Sequence, residues 1–439
     1  MASILIQNLG PIRNYSMEIE KFNLLIGEQA TGKSTISKCI YFFRTIKNEL
    51  VEYLYNYATE KNYARGKEQQ FPRALNRVMK DIFVQLFGFS WDLDSNLHLE
   101  FKFTDEVQIS VTLEEGARGK KYIGIKYSDF LIRNIKKIES QLNDSYQESN
   151  DLNFNFASSE RVRLHKDILE MVNDLFNDHC ETYYIPAGRQ LLTLISSQKT
   201  KLDYDSIDLV NRKFMQFNES IQSKFVNGIS NAHKFYPVPD RKFDVGKIAS
   251  DIKTGLKGDY RLTSAGERIV LKDGEQIQVN FASSGQQELL WLYNQLFILM
   301  LRQEPAFVII EEPEAHLYPT LQKDVVEFIS QFTNINNSQV LVTTHSPYVL
   351  TSANVLYYAG TLGKTKMSQV SHILAKEKWI SPDTFVARKL ENINGNTQAE
   401  SLVDEDAHEL RTSLIDDVSD DIGKTYTKLY YAEVNDENT

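Results

Sequence analysis

The stretch Gly27-Glu28-Gln29-Ala30-Thr31-Gly32-Lys33-Ser34 decides the fold of this chain. It follows the apolar run Phe22-Asn23-Leu24-Leu25-Ile26, which predicts a buried strand, and it precedes a segment to about Leu54 that has no Gly or Pro. Apolar residues recur in that segment at helical spacing, so the order is strand, loop, helix. Two glycines let backbone N–H groups curl around phosphates at the positive end of the helix dipole. The stretch therefore predicts a phosphate-binding loop, or P-loop.

The P-loop gives different tasks to its residues. Lys33 is expected to reach the β- and γ-phosphates of a nucleotide, and the Ser34 hydroxyl is expected to ligate Mg²⁺. The predicted ATP-binding stretch runs from Gly27 through Thr35.

Two further buried strands end in polar residues that suit phosphate chemistry. The run Phe307-Val308-Ile309-Ile310 ends in Glu311-Glu312, at the sheet edge where ligands bind in open α/β sheets. Because consecutive side chains of a strand point in different directions, Glu311 can serve Mg²⁺ while Glu312 polarises the attacking water. The strand that follows ends in His345, which can reach the γ-phosphate. The predicted catalytic residues are Glu312 and His345, and the predicted metal ligands are Ser34 and Glu311.

A third motif lies before the paired glutamates. The run Phe281-Ala-Ser-Ser-Gly-Gln-Gln-Glu288 is expected to open a helix, with Ser283 or Ser284 as its N-cap and Gly285 allowing close backbone approach. A helix N-terminus of this kind favours anions. The motif consists of Ser283, Ser284, Gly285, Gln286 and Gln287.

In their order along the chain, these motifs resemble those of ABC-type ATPases. Glu311-Glu-Pro-Glu-Ala-His-Leu-Tyr-Pro319 and Thr343-Thr-His-Ser-Pro347 resemble the soluble RecF, SMC and OLD branch, most of all the ATPases of bacterial antiphage systems such as Septu and PARIS. The resemblance covers roughly Ile4 to Glu60 and Tyr183 to Tyr358. Two departures are Gln286, where transporters usually have glycine, and Glu311, where aspartate is more frequent.

The resemblance also implies how the site is completed. Ser283–Gln287 would be the signature motif, which contacts the γ-phosphate bound by the opposite subunit, so the active form would be a homodimer or a higher homo-oligomer. Pro313–Leu317 falls where the family has its D-loop. Pro186–Gln190 falls near the Q-loop, with Arg189 and Gln190 as the candidate residues. The implied cofactors are ATP and Mg²⁺.

The rest of the chain predicts the surrounding architecture. Strict alternation in Leu97–Phe103 and Val107–Leu113 predicts an antiparallel hairpin, with Tyr122–Tyr127 as a third strand. Residues 129–182 read as helices with a loop at Asn143–Ser149, and helix–strand alternation after Gln286 predicts a parallel sheet. We therefore expect an α/β P-loop NTPase of ABC-ATPase type with an antiparallel β-lobe, a helical insertion and a short acidic C-terminal appendage. The expected regions are 1–128 (first part of the core with the β-lobe), 129–182 (insertion), 183–360 (second part of the core, with further helices at about 205–234) and 361–439 (appendage).

Composition excludes several classes of protein. No apolar run approaches the roughly 20 residues that a membrane-spanning helix needs, and the amino terminus does not resemble a signal peptide. Only Cys39 and Cys180 are present, so no disulfide framework is expected. The net charge is −10, and much of it lies in the acidic tail, residues 404–437. Outside this tail the chain is nearly neutral, with 46 of the 49 basic residues and 48 of the 59 acidic residues. These features predict a cytoplasmic protein.

Three functions compete at this point. The first is an ATP-gated dimer that controls an effector encoded nearby, a nuclease or toxin, or that acts on DNA in antiphage defence or genome maintenance. The second is an OLD-type nuclease, but no apolar strand ending in Glu-Gly follows His345, as a Toprim domain would need. The third is the energy subunit of a transporter, which the long gap between Gly27 and Ser283 disfavours. DNA is a candidate partner because of a basic cluster, which equally fits a solvated surface: Arg118, Lys120, Lys121, Lys126, Arg133, Lys136 and Lys137.

Overall fold

The computed structural model describes residues 2–59, 69–88, 96–116, 119, 121–149, 158–191, 207–239, 241, 243–404, 406–412 and 423–429. Its strands are β1 (Ala2–Leu9), β2 (Ile12–Ile19), β3 (Phe22–Gly27), β4 (His98–Lys102), β5 (Gln108–Glu115), β6 (Lys121–Tyr127), β7 (Glu181–Ile185), β8 (Asp259–Thr263), β9 (Gly266–Val270), β10 (Gln276–Gln278), β11 (Ala306–Glu311), β12 (Gln339–Thr344), β13 (Phe385–Ile393), β14 (Asn396–Ser401), β15 (Val403–Asp404) and β16 (Glu409–Leu410). Its α-helices are α1 (Lys33–Thr59), α2 (Arg73–Phe87), α3 (Asp129–Ser149), α4 (Ser158–Phe176), α5 (Leu209–Gln222), α6 (Val245–Leu256), α7 (Ser284–Arg302), α8 (Pro319–Ile335) and α9 (Pro347–Ile373).

A six-stranded sheet in the order β14-β13-β3-β12-β11-β7 forms the centre of the fold. All of its neighbouring pairs are parallel except β13 with β14, which confirms the predicted parallel sheet. Every residue of β11 is buried, as the apolar run 306–310 requires of a strand covered on both faces, and Glu311 at its end is buried as well. The strands β3, β11 and β12 run in one direction. The P-loop, Glu311 and His345 therefore lie at the same edge of the sheet, where these strands end.

The β-lobe is a five-stranded antiparallel sheet in the order β2-β1-β4-β5-β6. The predicted three-stranded arrangement of β4, β5 and β6 is confirmed, and β1 and β2 add two strands that the sequence analysis did not assign to it. Helix α1 lies between this lobe and the central sheet. Phe43 of α1 stacks on Phe101 of the lobe and shares one apolar core with Ile309 of β11.

The helical insertion has two helices, α3 and α4. The predicted loop at Asn143–Ser149 is wrong, because α3 continues to Ser149. The segment contains no Gly or Pro that would stop a helix, and its polar residues alone do not break one. The helix that was expected from about residue 205 to 234 ends at Gln222, and short 3₁₀ turns continue to Phe235; residues 201–206 lie outside the described chain.

The other face of the central sheet carries the second apolar core. Helix α7 passes through its middle, and every residue from Gln287 to Leu301 is buried. A helix that is covered on all sides in this way is held by its neighbours, which here include α6 and α8. Among the helices of the described ranges, none is both long and apolar enough to cross a bilayer.

The strands β13 and β14 were not foreseen by the sequence analysis. Strand β13 pairs in parallel with β3, and Asn394-Gly395 connects it to β14. Both turn residues have positive φ, 53° and 77°, and Asn-Gly is the strongest local signal for a hairpin. The signal was therefore present in a region that we assigned to the appendage. The region boundaries themselves stay predictions.

Candidate functional site

The P-loop takes a conformation that only its glycines permit. A Cβ atom on Gly27 would lie 2.2 Å from the backbone oxygen of Leu390 in β13. Gly32 has a φ of 95°, and a Cβ there would lie 3.0 Å from the Ile12 side chain. Helix α1 begins directly after this glycine, at Lys33. The loop is thus packed between the β1–β2 turn and the C-terminal hairpin, with its backbone at the helix N-terminus.

Lys33 lies inside the P-loop. Its Nζ donates hydrogen bonds to the backbone oxygens of Gly27 and Glu28, each at 2.7 Å, and lies 3.4 Å from Thr31 Oγ1. Burial lowers the pKa of the Lys33 ammonium to about 8, although Glu312 and other nearby carboxylates raise it. The Lys33 ammonium is therefore surrounded by oxygen atoms of the P-loop, where the phosphates of a nucleotide are expected to bind.

Lys33, His345 and Glu312 form a continuous chain of contacts. His345 Nδ1 lies 3.5 Å from Lys33 Nζ, and His345 Nε2 lies 3.3 Å from Glu312 Oε1. The Glu312 backbone has a φ of 43°, and its N–H donates to the Thr343 oxygen at the end of β12. The Glu312 side chain is 39% exposed, so it can hold a water molecule. The structure brings together these three residues predicted from the sequence.

Glu311 points into the protein, unlike Glu312. It is buried, one carboxylate oxygen lies 3.5 Å from the Ala187 N–H that donates to it, and the other has no hydrogen-bond partner. The Tyr184 hydroxyl lies near both Glu311 and Ser37, one helical turn after Ser34, and burial and the Glu311 carboxylate raise the pKa of Tyr184. A buried carboxylate oxygen without a hydrogen bond fits a hard cation that prefers oxygen ligands, such as Mg²⁺.

The signature candidate forms a well-capped helix start. Ser283 is the N-cap of α7, and a reciprocal capping box joins it to Gln286. The Gln286 side chain also donates to the Leu256 oxygen at 2.8 Å, and the buried Gln287 side chain donates to the Val279 and Ala282 oxygens. Both glutamines therefore use their side chains within their own chain. Ser284 and Gly285 are partly exposed. Contact of this motif with another subunit stays a prediction.

Glu314 lies within the D-loop candidate, but the sequence analysis gave it no role of its own. Its Oε1 accepts hydrogen bonds from Thr344 Oγ1 at 2.6 Å and from the His345 N–H at 2.8 Å. It therefore fixes the backbone from which the His345 imidazole projects. The only sequence signal was its position two residues after Glu312, in a segment whose turn geometry the sequence does not reveal.

The Q-loop candidates lie behind the site. Arg189 is fully buried and donates to the backbone oxygens of Glu311 at 2.8 Å and Glu312 at 3.0 Å. The Gln190 N–H donates to Glu288 Oε1 at 3.2 Å. The Arg189 side chain thus acts on the protein backbone, and its assignment to a Q-loop stays a prediction.

Comparisons with known proteins give the family of the chain. A family model described as AAA ATPase domain matches residues 1–350, and no curated protein matches the chain. One similar solved structure is an SMC head bound to the C-winged helix domain of ScpA, with 13% identity and a TM-score of 0.42 over 92% of this chain and 98% of that one. A second is the SMC head domain from Thermotoga maritima, with 11% identity and a TM-score of 0.38 over 91% of this chain and 97% of that one. A third is an SMC head domain with an extended coiled coil bound to the C-terminal domain of ScpA, derived from Pyrococcus furiosus, with 13% identity and a TM-score of 0.38 over 92% of this chain and 96% of that one. Since the family match spans most of its length, this chain belongs to the AAA ATPase domain family and is an ATP-binding ATPase.

Proposed function

We propose that this ATPase works as an ATP-dependent dimer, in which Ser283–Gln287 of one copy closes over the γ-phosphate held by Lys33 of the other. The observation that carries hydrolysis is the contact chain from Lys33 through His345 to Glu312. The contact chain supports hydrolysis because an ammonium, an imidazole and a partly exposed carboxylate lie next to one another at one edge of the sheet.

Each residue has a separate task in this proposal. Lys33 compensates the charge of the β- and γ-phosphates, and Glu312 orients the attacking water and accepts its proton. His345 donates a hydrogen bond toward the γ-phosphate. Ser34 and Glu311 would hold Mg²⁺, which supplies further charge compensation for the phosphate oxygens. No residue of this set forms a covalent bond to the nucleotide.

Exposed aromatic side chains support a second copy as the occupant of this face. Phe281, Tyr318 and Tyr348 are 77%, 73% and 54% exposed. They lie close in sequence to the signature candidate, the D-loop candidate and His345, respectively. Large exposed apolar side chains around a functional site are typical of protein interfaces. A dimer that closes over ATP would cover all three at once.

The dimer would control an effector protein, a nuclease or toxin, or would act on DNA, in cytoplasmic antiphage defence or genome maintenance. The support is the resemblance of Glu311–Pro319 and Thr343–Pro347 to Septu- and PARIS-type ATPases. An OLD-like nuclease-associated ATPase or a RecF/SMC-like repair ATPase is the alternative.

The basic cluster is the candidate contact with DNA. Within it, Lys126 pairs with Glu114 at 3.2 Å. Arg118 and Lys120 lie outside the described residues. Stimulation of ATP hydrolysis by duplex DNA alone would favour action on DNA over control of an effector protein.

Mixing two defective copies tests the dimer. A Lys33→Ala copy binds ATP weakly, and a Ser284→Asp copy presents a negative charge where the γ-phosphate should meet the helix. Ser284 is preferred to Gly285, because a Cβ on Gly285 would lie 3.1 Å from the His316 oxygen of its own chain. Aspartate is also well tolerated in the first turn of a helix.

With differently tagged copies, we expect ATP-dependent mixed dimers that retain one ATP, in the site that joins the intact P-loop to the intact signature motif. Neither variant alone should form ATP-dependent dimers. If the mixture forms no more ATP-dependent dimer than either copy alone, while the wild type does dimerise, the signature motif does not act across the interface.

A further inference from the structure

A buried ion pair joins the start of α7 to the loop after β7. The side chains of Arg189 and Glu288 are both 0% exposed, and Arg189 Nε lies 2.9 Å from Glu288 Oε2. Removing two charges from water is costly, and their mutual attraction offsets this only where geometry and further hydrogen bonds are favourable. An ion pair with no access to solvent therefore needs additional partners. Arg189 Nε donates to the Glu288 backbone oxygen at 3.3 Å, and Glu288 Oε1 has further partners, whereas Glu288 Oε2 faces Arg189 without a hydrogen bond.

Arg189 binds the end of the strand that carries the catalytic carboxylates. Besides the Glu311 and Glu312 oxygens, its guanidinium donates to the Pro186 oxygen at 2.9 Å. Glu312 has a positive φ, which an L-residue adopts only at some cost, so its backbone needs such anchors to stay in place. Arg189 thereby fixes the direction in which the Glu312 side chain projects.

Glu288 binds two further segments. It lies on α7 one turn after Ser284, and its Oε1 accepts from the Gln190 N–H and lies 3.5 Å from His316 Nδ1 of the D-loop candidate. The pair therefore ties together four pieces of the site within one chain: the signature helix, the D-loop candidate, the loop after β7 and the end of β11. Since Glu288 lies on the same helix as Ser284, one turn further on, a displacement of the partly exposed first turn of α7 is passed to these contacts.

We propose that the Arg189–Glu288 pair is a positioning link that makes the two ATP sites of the dimer hydrolyse cooperatively. This inference rests on the proposed dimer, because there α7 of one chain serves the nucleotide of its partner, whereas Glu312 serves the nucleotide of its own chain. When α7 engages the partner's γ-phosphate, the link sets the Glu312 backbone for its own site. Arg189 acts through Glu312 and does not itself touch the nucleotide.

The test replaces the pair by apolar residues, Arg189→Met with Glu288→Leu. Exchange of a buried ion pair for apolar residues of similar size is often neutral for stability, so the double variant is expected to fold. ATP affinity and ATP-dependent dimerisation should stay within about threefold of the wild type, since Lys33 and Ser284 are unchanged. The turnover number should fall on the order of tenfold, as for a small misplacement of a catalytic group. The Hill coefficient for ATP should fall to one.

The matched control is Arg44→Met. Arg44 is another buried guanidinium, 2.8 Å from Asp178 at the opposite end of β7, and Asp178 keeps its pair with Lys47. This control should keep wild-type turnover and cooperativity. If the double variant does not fold, Glu288→Gln, which keeps the size and one acceptor oxygen, gives the same readouts.

The outcomes separate the two proposals. A wild-type dimer whose turnover and Hill coefficient are unchanged in the folded variant would overturn the link but leave the dimer standing. A wild type that hydrolyses ATP without dimerising would overturn the dimer and, with it, coupling between sites. A loss of turnover together with a matching loss of ATP affinity would show a structural role only and would also overturn the link.

Discussion

Replacing Glu312 by Gln should separate ATP hydrolysis from ATP binding. The substitution keeps the size and shape of the side chain but removes the oxygen that accepts a proton from water. Glu312 is partly exposed and contacts His345 at 3.3 Å, whereas Lys33 is held by P-loop oxygens that the substitution does not touch. The change therefore leaves the hydrogen bonds of Lys33 in place, and it removes one of the carboxylates that raise the Lys33 pKa.

The size of both effects follows from these contacts. A positioned general base contributes about 10²- to 10⁴-fold to a rate, so the turnover number should fall by that factor. A partly exposed polar contact of this kind contributes at most about 1 kcal/mol, so its loss should change the Kd for Mg-ATP by less than about fivefold. In Glu312→Gln, the fold-loss of the turnover number should therefore exceed the fold-change of the Kd for Mg-ATP by at least about one order of magnitude.

Single-turnover hydrolysis and equilibrium binding, measured on the same preparation, check this directly, and gel filtration with ATP should show a stabilised dimer. Glu314→Gln is the matched control, because a glutamine there can still accept the His345 N–H. A Glu312→Gln turnover within about tenfold of the wild type would refute the assignment of Glu312 as the base. A larger loss in Glu314→Gln would point instead to the His345 backbone.

Four further predictions concern binding and assembly. Lys33→Ala should weaken ATP binding at least about tenfold, because it removes charge-assisted hydrogen bonds of about 1.5–3 kcal/mol each; labelled ATP bound as tightly as by the wild type would contradict the P-loop assignment. The pKa of Lys33, about 8, means that ATP affinity should fall as pH rises above 8, with proton uptake on binding, measurable by calorimetry in buffers of different ionisation enthalpy. Thr397→Val removes the 2.9 Å bond to the Thr31 oxygen and should raise the Kd for ATP about fivefold or more, while Thr351→Val, which loses an exposed bond of the same kind, should not. Phe281→Ser should raise the ATP-dependent dimer dissociation constant about tenfold in analytical ultracentrifugation without changing ATP affinity of the monomer.

The parts of the site that were predictable are those that local sequence specifies. Gly27, Gly32 and Lys33 follow one strand and open one helix, so their mutual geometry depends on few residues. The paired glutamates and His345 follow strands of the same parallel sheet, and that topology alone brings them to one edge.

The parts that were missed depend on contacts between distant segments. That Arg189 is buried against Glu288 cannot be read from the run Pro186–Gln190, in which an arginine looks like a surface residue. The role of Glu314 depends on a turn that brings its carboxylate back to His345. Gln286 and Gln287 looked available to a partner subunit, but their side chains close hydrogen bonds to Leu256 and Val279.

The C-terminal hairpin has a consequence for how the chain acquires its activity during synthesis. Thr397 of β14 bonds to Thr31 across 366 residues of sequence, and the Leu390 oxygen forms the wall beside Gly27. The segment from 351 onward lies outside the range matched by the family. When the P-loop has emerged from the ribosome, the strands β13 and β14, which contact it, have therefore not yet been synthesised. Nucleotide therefore gains the contacts of the fully shaped site, and stabilises the folded ATPase most strongly, only after β14 has emerged.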